Sequence, residues 1–144
     1  MITRKTKYAL SALVHLARNE KKGPVLISHL AEVERIPKKF LELILLDLKK
    51  YGFLQSKRGK GGGYALARPA ELIHIGHVVR LLDGPLAPIP CVSETAYQKC
   101  LDCRNEKDCG IRIVMKQVRD ATAAILDQTT LADVVIKNKS RSKR

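Results

Sequence analysis

IPKKFLELILLDLKKYGFLQSKRGKGGGYALA, residues 36–67, decides the fold. Phe40, Leu41, Ile44, Leu45 and Leu48 recur at helical spacing, which builds a helix with one apolar face. Pro37 suits the first position of that helix, where its absent N–H would have had no intrahelical partner. Gly52 suits the other end, because a residue free to adopt positive φ closes a helix well. The polar face carries Lys38, Lys39, Glu42 and Lys49. Two short alternating segments follow, 53–57 and 63–67, joined by Arg58-Gly59-Lys60-Gly61-Gly62. That pattern predicts a hairpin with a basic, glycine-rich loop.

Upstream, Ala9, Ala12, Leu13, Leu16 and Ala17 place an amphipathic helix over 5–18. After the turn Lys22-Gly23-Pro24, the apolar run 25–27 leads to Ser28, a good N-cap for a short second helix carrying Leu30, Ala31 and Val33. This helix ends near Arg35-Ile36, so a tight helix-turn-helix forms with the helix after Pro37. Downstream, 75–82 is a further helix with Val78, Val79, Leu81 and Leu82 apolar, stopped by Asp83-Gly84-Pro85. Over 110–127, Ile111, Val114, Met115, Val118, Ala121 and Ile125 extend a helix too long for so small a core, which suggests pairing with a second copy. Thr130 and Asp133 make a capping box for a short last helix with Leu131, Val134 and Val135.

The expected fold is mainly α with a small β-hairpin wing, a winged helix-turn-helix plus a long dimerisation helix. Its expected divisions are a DNA-binding domain over 1–84, a cysteine-rich sensor loop over 85–109, the dimerisation and short C-terminal helices over 110–136, and a mobile basic tail over 137–144.

Charge supports a polyanionic partner. The 144 residues include 27 Lys and Arg against 14 Asp and Glu, a net +13. The excess is clustered: +9 over 1–64, −1 over 65–136 and +5 over 137–144. No stretch approaches the length of a membrane span, and the N-terminus lacks the apolar core of a signal peptide, so a cytoplasmic location is expected. The glycine-rich stretch lacks the phosphate-loop order and precedes a strand rather than a helix, which excludes a nucleotide hydrolase of that type.

A helix-turn-helix sends its second helix into the major groove, where Lys38, Lys39 and Glu42 are the first exposed residues. The lysines suit phosphates or guanine acceptors. Glu42, repelled by phosphate, is useful only as an acceptor from cytosine N4 and so belongs to specificity. Lys57, Arg58, Lys60, Gly61, Gly62 and Tyr64 complete the candidate DNA-contacting set, since a loop with few side chains follows a groove closely.

All four cysteines fall in one segment, Cys91-x8-Cys100-x2-Cys103-x5-Cys109. In a reducing compartment such crowding favours metal or redox chemistry over structural disulfides. Four thiolates suit an iron–sulfur cluster, zinc, or thiol–disulfide sensing, and spacing does not choose among them. Arg104, Lys107 and Arg112 are near enough in sequence to offset thiolate charge. His15, His29, His74 and His77 do not cluster with the thiols and are assigned no metal role. A redox enzyme using Cys100 and Cys103 would need an α/β pattern that is absent, so no enzyme is expected. A zinc-stabilised RNA-binding module fits the charge but not the six Phe and Tyr, too few for stacking platforms.

Ile36-Pro37, Phe40-Leu41-Glu42, Ser56-Lys57-Arg58-Gly59 and Gly62-Gly63-Tyr64 together resemble the winged helix-turn-helix of the Rrf-two family of bacterial transcriptional regulators, which includes IscR and NsrR. The resemblance continues through Leu82-Asp83-Gly84-Pro85, the cysteine loop and Thr129-Thr130-Leu131-Ala132-Asp133, nearly the whole chain. It implies a homodimer in which the helix from Gly110 crosses its partner, on double-stranded DNA with a two-fold or near-two-fold site. It also implies that Glu42 discriminates operators and that Arg58 enters the minor groove. IscR-like sensors hold an iron–sulfur cluster with three cysteines, which Cys91, Cys103 and Cys109 match. Some relatives add a histidine after the last cysteine or a carboxylate near the N-terminus. Here Arg112 and Lys7-Tyr8 stand in those places, and neither Arg nor Lys ligates iron, which makes Cys100 the natural fourth thiolate. The implied cofactor is a cluster of the 2Fe-2S or 4Fe-4S type, with zinc as the alternative.

Overall fold

The computed structural model describes residues 2–142. Helix α1 (Arg4–Arg18) starts at Thr3, whose hydroxyl accepts from the Thr6 N–H, and it buries Ala9, Ala12, Leu13 and Leu16. Helices α2 (Ile27–Glu34) and α3 (Lys38–Lys50) form the helix-turn-helix. Ser28 is not the cap of α2: it lies in the first turn, and Leu26 holds the cap position without a side-chain bond. The cause is long-range. Val25 and Tyr64 exchange two backbone hydrogen bonds of 2.8 Å, so the chain stays extended through Val25 and turns into α2 immediately afterwards. Pro37 likewise sits just outside α3, as its cap, with its carbonyl accepting from Leu41 N–H at 2.9 Å.

Helix α3 ends in a Schellman motif. Phe53 N–H reaches the Leu48 carbonyl at 2.9 Å and Gly52 N–H reaches that of Lys49 at 3.0 Å, with Gly52 at φ 81°. This reversal buries Phe53 and launches the antiparallel hairpin of β1 (Leu54–Lys57) and β2 (Gly63–Leu66), with Leu54 opposite Leu66 and Lys57 opposite Gly63. The Phe53 ring meets the edge of His77 at 5.4 Å between centroids and the Arg68 guanidinium at 5.1 Å.

Helix α4 (Ile75–Asp83) adds Ile75, Val78 and Val79 to the core formed by α1 to α3. After a long loop, α5 (Gly110–Gln128) packs along α4 yet has no buried residue of its own. Helix α6 (Leu131–Ser142) returns to α1 and buries Leu131 completely. The Thr130–Asp133 capping box forms as read, Thr130 N–H donating to Asp133 Oδ2 at 2.9 Å and Asp133 N–H to Thr130 Oγ1 at 3.2 Å. Helix α6 differs from expectation in running on through Ser142, well into the segment expected to be a mobile tail. Residues 137–142 contain no Gly or Pro, and Lys and Arg are good helix formers, so nothing halts propagation once Leu131 is anchored. Residues 143 and 144 lie outside the described part. Among the described residues no helix is long and apolar enough to cross a membrane.

Candidate functional site: nucleic-acid interface and cysteine loop

Burial of Leu41, Ile44, Leu45 and Leu48 fixes the rotation of α3 about its axis, so Lys38, Lys39 and Glu42 point to solvent. The hairpin is tied to the C-terminal part of the same helix by Lys49 Nζ donating to Ser56 Oγ at 2.7 Å. Lys57, Arg58, Lys60 and Gly61 are exposed at its tip. Among the described residues, none of Lys38, Lys39, Lys57, Arg58 and Lys60 is engaged by a carboxylate, although Lys5 is held by Asp47 at 2.6 Å. A cationic surface with uncommitted side chains is what a polyanion needs.

Gly62 and Tyr64 have a different setting. Gly62 is buried in the turn, and a Cβ there would lie 2.3 Å from the Lys57 carbonyl. The Tyr64 backbone is committed to Val25, and its half-buried side chain packs against the core. The structure therefore gives these two residues the task of shaping and seating the hairpin. Gly63 seats it as well: at φ 140°, its missing Cβ leaves room for the Val25 carbonyl, which would otherwise lie 2.3 Å away.

The cysteine loop is anchored on α5. In its first part, the short 3-10 turn Pro90–Val92 and Ser93, the residues Cys91, Val92 and Ser93 are buried, with Cys91 only 4% exposed. Arg112 Nε donates to the Cys91 carbonyl at 3.3 Å, and Arg119 Nη1 donates to the Val92 carbonyl at 2.6 Å. Arg119 also pairs with Glu94 and Asp120. The Arg112 backbone N–H reaches Cys109 Sγ at 3.4 Å, so one residue contacts both ends of the thiol segment. Arg104 and Lys107 are exposed and bond to no thiol among the described residues. Only one signal points to Arg119 in the sequence: it follows Arg112 by seven residues and so shares its face of the helix.

All four thiols are free: Cys91 buried, Cys103 and Cys109 half-buried, Cys100 exposed. Hydrogen bonding to Cys91 and the nearby Cys91 charge hold the Cys100 thiol pKa above the ordinary value. No group of three His, Cys, Asp or Glu side chains is placed as around a metal ion among the described residues. The donor chemistry nonetheless suits a soft metal or an iron–sulfur cluster, with four unpaired thiols in one loop whose two ends are both in contact with Arg112. The histidines are engaged elsewhere: His15 with Glu34 at 2.9 Å, His29 with the His15 ring at 6.0 Å between centroids, His74 with the Asp127 carbonyl at 2.7 Å, and His77 with Phe53.

Beyond the loop, α5 shows solvent an apolar stripe of Ile111, Val114, Val118 and Ile125.

The family model described as "Rrf2: Iron-dependent Transcriptional regulator" matches residues 2–137. A putative HTH-type transcriptional regulator, rrf2-like, of Rhodobacter capsulatus is 44% identical over 138 residues, 94% of this chain and 92% of that protein. The solved structure of CymR, the global cysteine regulator of Bacillus subtilis, superposes with a TM-score of 0.80 at 28% identity, over 95% of this chain and 97% of that one. IscR of T. potens gives 0.77 at 26% identity, over 100% and 91%.

Proposed function

Since the chain belongs to the Rrf2 family of transcriptional regulators, we propose that it is a homodimeric, sequence-specific DNA-binding regulator that senses iron–sulfur, redox or nitrosative status through a cysteine-ligated iron–sulfur cluster. The observation that carries this reading is the pair of arginine bonds from α5 to the cysteine segment, Arg112 to Cys91 and Arg119 to Val92. They make the position of the loop and that of α5 one mechanical unit. Residues 1–84 read DNA, 85–109 sense, and 110–136 pair the protomers. Lys38, Lys39, Lys57, Arg58, Lys60 and Gly61 contact the duplex, Glu42 selects bases, and Gly62 and Tyr64 hold the wing in place.

Cys91, Cys100, Cys103 and Cys109 would hold the cluster, which when bound supplies oxidant-sensitive iron–thiolate bonds across the loop. Reordering of the loop then shifts α5 through Arg112 and Arg119 and alters the spacing of the two recognition helices in the dimer. Because the two sites are linked, DNA and loop state influence one another reciprocally.

Four free thiols within one segment support a second reading on the same scaffold, thiol–disulfide sensing. One experiment separates these. The protein is purified without oxygen, its visible spectrum recorded, and iron, sulfide and zinc assayed, for wild type and for each Cys→Ala variant. The cluster reading expects colour and iron that fall in all four variants. A colourless, iron-free protein overturns it: stoichiometric zinc then identifies a zinc site, and a disulfide that forms on addition of a peroxide and is abolished by Cys100→Ala identifies thiol sensing.

A further inference from the structure

Helix α3 has two leucines that its fold does not use. Leu41, Ile44, Leu45 and Leu48 are wholly buried, whereas Leu43 is 61% exposed and Leu46 55% exposed. Lys39, Leu43, Leu46 and Lys50 follow one another at spacings of four, three and four, a single line along the side of α3 that faces away from the core. Helix propensity does not require leucine there, since Lys, Glu, Gln and Arg form helix about as well and would be better solvated. The two leucines therefore give up solvation without any return from packing inside this chain.

What surrounds them indicates what covers them. Lys39 and Lys50 bound the line, Lys38 stands at its start, and the hairpin with its exposed cations is tied to the same helix through Lys49 and Ser56. An apolar strip in a cationic frame is matched by a polyanion that displays methyl groups. The major groove of DNA is such a surface: its walls are phosphate and every thymine presents a 5-methyl group, the one apolar feature of the base edges. We propose that Leu43, extended by Leu46, reads thymine 5-methyl groups and is a specificity residue beside Glu42. Glu42 precedes Leu43 on the helix, so the two read neighbouring base pairs, a cytosine through its N4 amino group and a thymine through its methyl. This inference rests on α3 being the DNA-contacting helix.

The test uses the full-length protein and duplexes that it selects from a randomised pool. In each selected duplex, thymines are replaced one at a time by deoxyuridine, which removes the methyl and leaves the hydrogen-bonding edge intact. For wild type, at least one position per half-site loses about four-fold in affinity, the size expected for one buried methyl group. Leu43→Ala binds the parent duplex more weakly and no longer distinguishes thymine from deoxyuridine at that position. Leu43→Gln, which keeps the length of the side chain, loses the same discrimination. Thermal unfolding of both variants matches wild type, because Leu43 has no part in the core. Selected duplexes whose affinity is indifferent to every methyl, or equally sensitive in wild type and variants, overturn the role of the leucines and leave the DNA-contacting helix intact. Failure of the protein to enrich any duplex overturns both.

Discussion

Glu42 stands as an exposed carboxylate among Lys38, Lys39 and Lys49, and a carboxylate facing phosphate lowers affinity unless it gains a base contact. Glu42→Ala is therefore expected to tighten or preserve binding overall while its preference at one base pair falls by about ten-fold, as read from selection of randomised duplexes by the variant. Lys39→Ala does the opposite. It weakens binding to every duplex alike and lowers the slope of log affinity against log salt by about one. An unchanged preference in the first variant, or an altered one in the second, reverses the roles given to the two residues. Gly63 operates through structure instead. Gly63→Ala puts a Cβ against the Val25 carbonyl at a φ that L side chains rarely adopt, so a loss of about 2 kcal/mol or more is expected in urea unfolding, with the hairpin detached from α2.

At the level of elements, local patterns were the legible ones. The apolar spacing of α3, the two alternating segments after Gly52 and the Thr130–Asp133 box each lie within a few residues, and each formed. The features that sequence does not carry are pairings across the chain. Val25 with Tyr64 displaced the expected cap at Ser28, and Thr3 bonds to Asp83 through both its N–H, at 2.9 Å, and its hydroxyl, at 2.6 Å. The junction of α4 and α5 is of this kind. Arg80 grips Asp127 with two bonds of 2.5 and 2.9 Å, and Gly76 provides the space, since a Cβ there would lie 2.0 Å from Asp127 Oδ1. The Arg80 hydrogen bond holds the Asp127 carboxyl below its ordinary value of 3.8. Asp83 is pushed up by burial but held lower still by its bonds to Thr3. Both are depressed in the folded state, so their stabilisation is complete above the unfolded value and is lost as pH falls below 3.8 toward the folded values. With the Arg80 and Asp127 side chains 36% and 45% exposed, that pair contributes less than about 1 kcal/mol. Asp127→Asn should lower the urea midpoint slightly at neutral pH, and the gap to wild type should close below pH 3.8; a gap that persists in acid would show that the ion pair is not its source.

For the whole molecule, α5 is the decisive element because it is the least satisfied. Ile111 is 68% exposed, Val114 51%, Val118 44% and Ile125 66%, in steps of three, four and seven, which is one stripe along a helix of 19 residues. In the proposed homodimer a second copy seated on that stripe would bury it by the same contacts on both sides, as two-fold pairing requires, and would place two recognition helices on one duplex. The consequence for binding is multiplicative, because once one half-site is held the other is found at a high effective concentration. Val114→Asp with Val118→Asp puts two carboxylates into the paired surface while leaving the core of each protomer untouched. The double variant should sediment as a folded monomer with the helical spectrum of wild type. Its affinity for a two-site duplex should fall by 100-fold or more by the effective-concentration estimate of roughly 10²–10⁴. The salt slope should fall by about half, since one protomer now neutralises the phosphates that two did before. A variant that still sediments as a dimer would move the interface away from α5. A monomer with undiminished affinity and an unchanged salt slope would mean that one wing and one helix suffice, and that the arginine bonds linking the cysteine loop to α5 transmit nothing to DNA through the pairing of protomers.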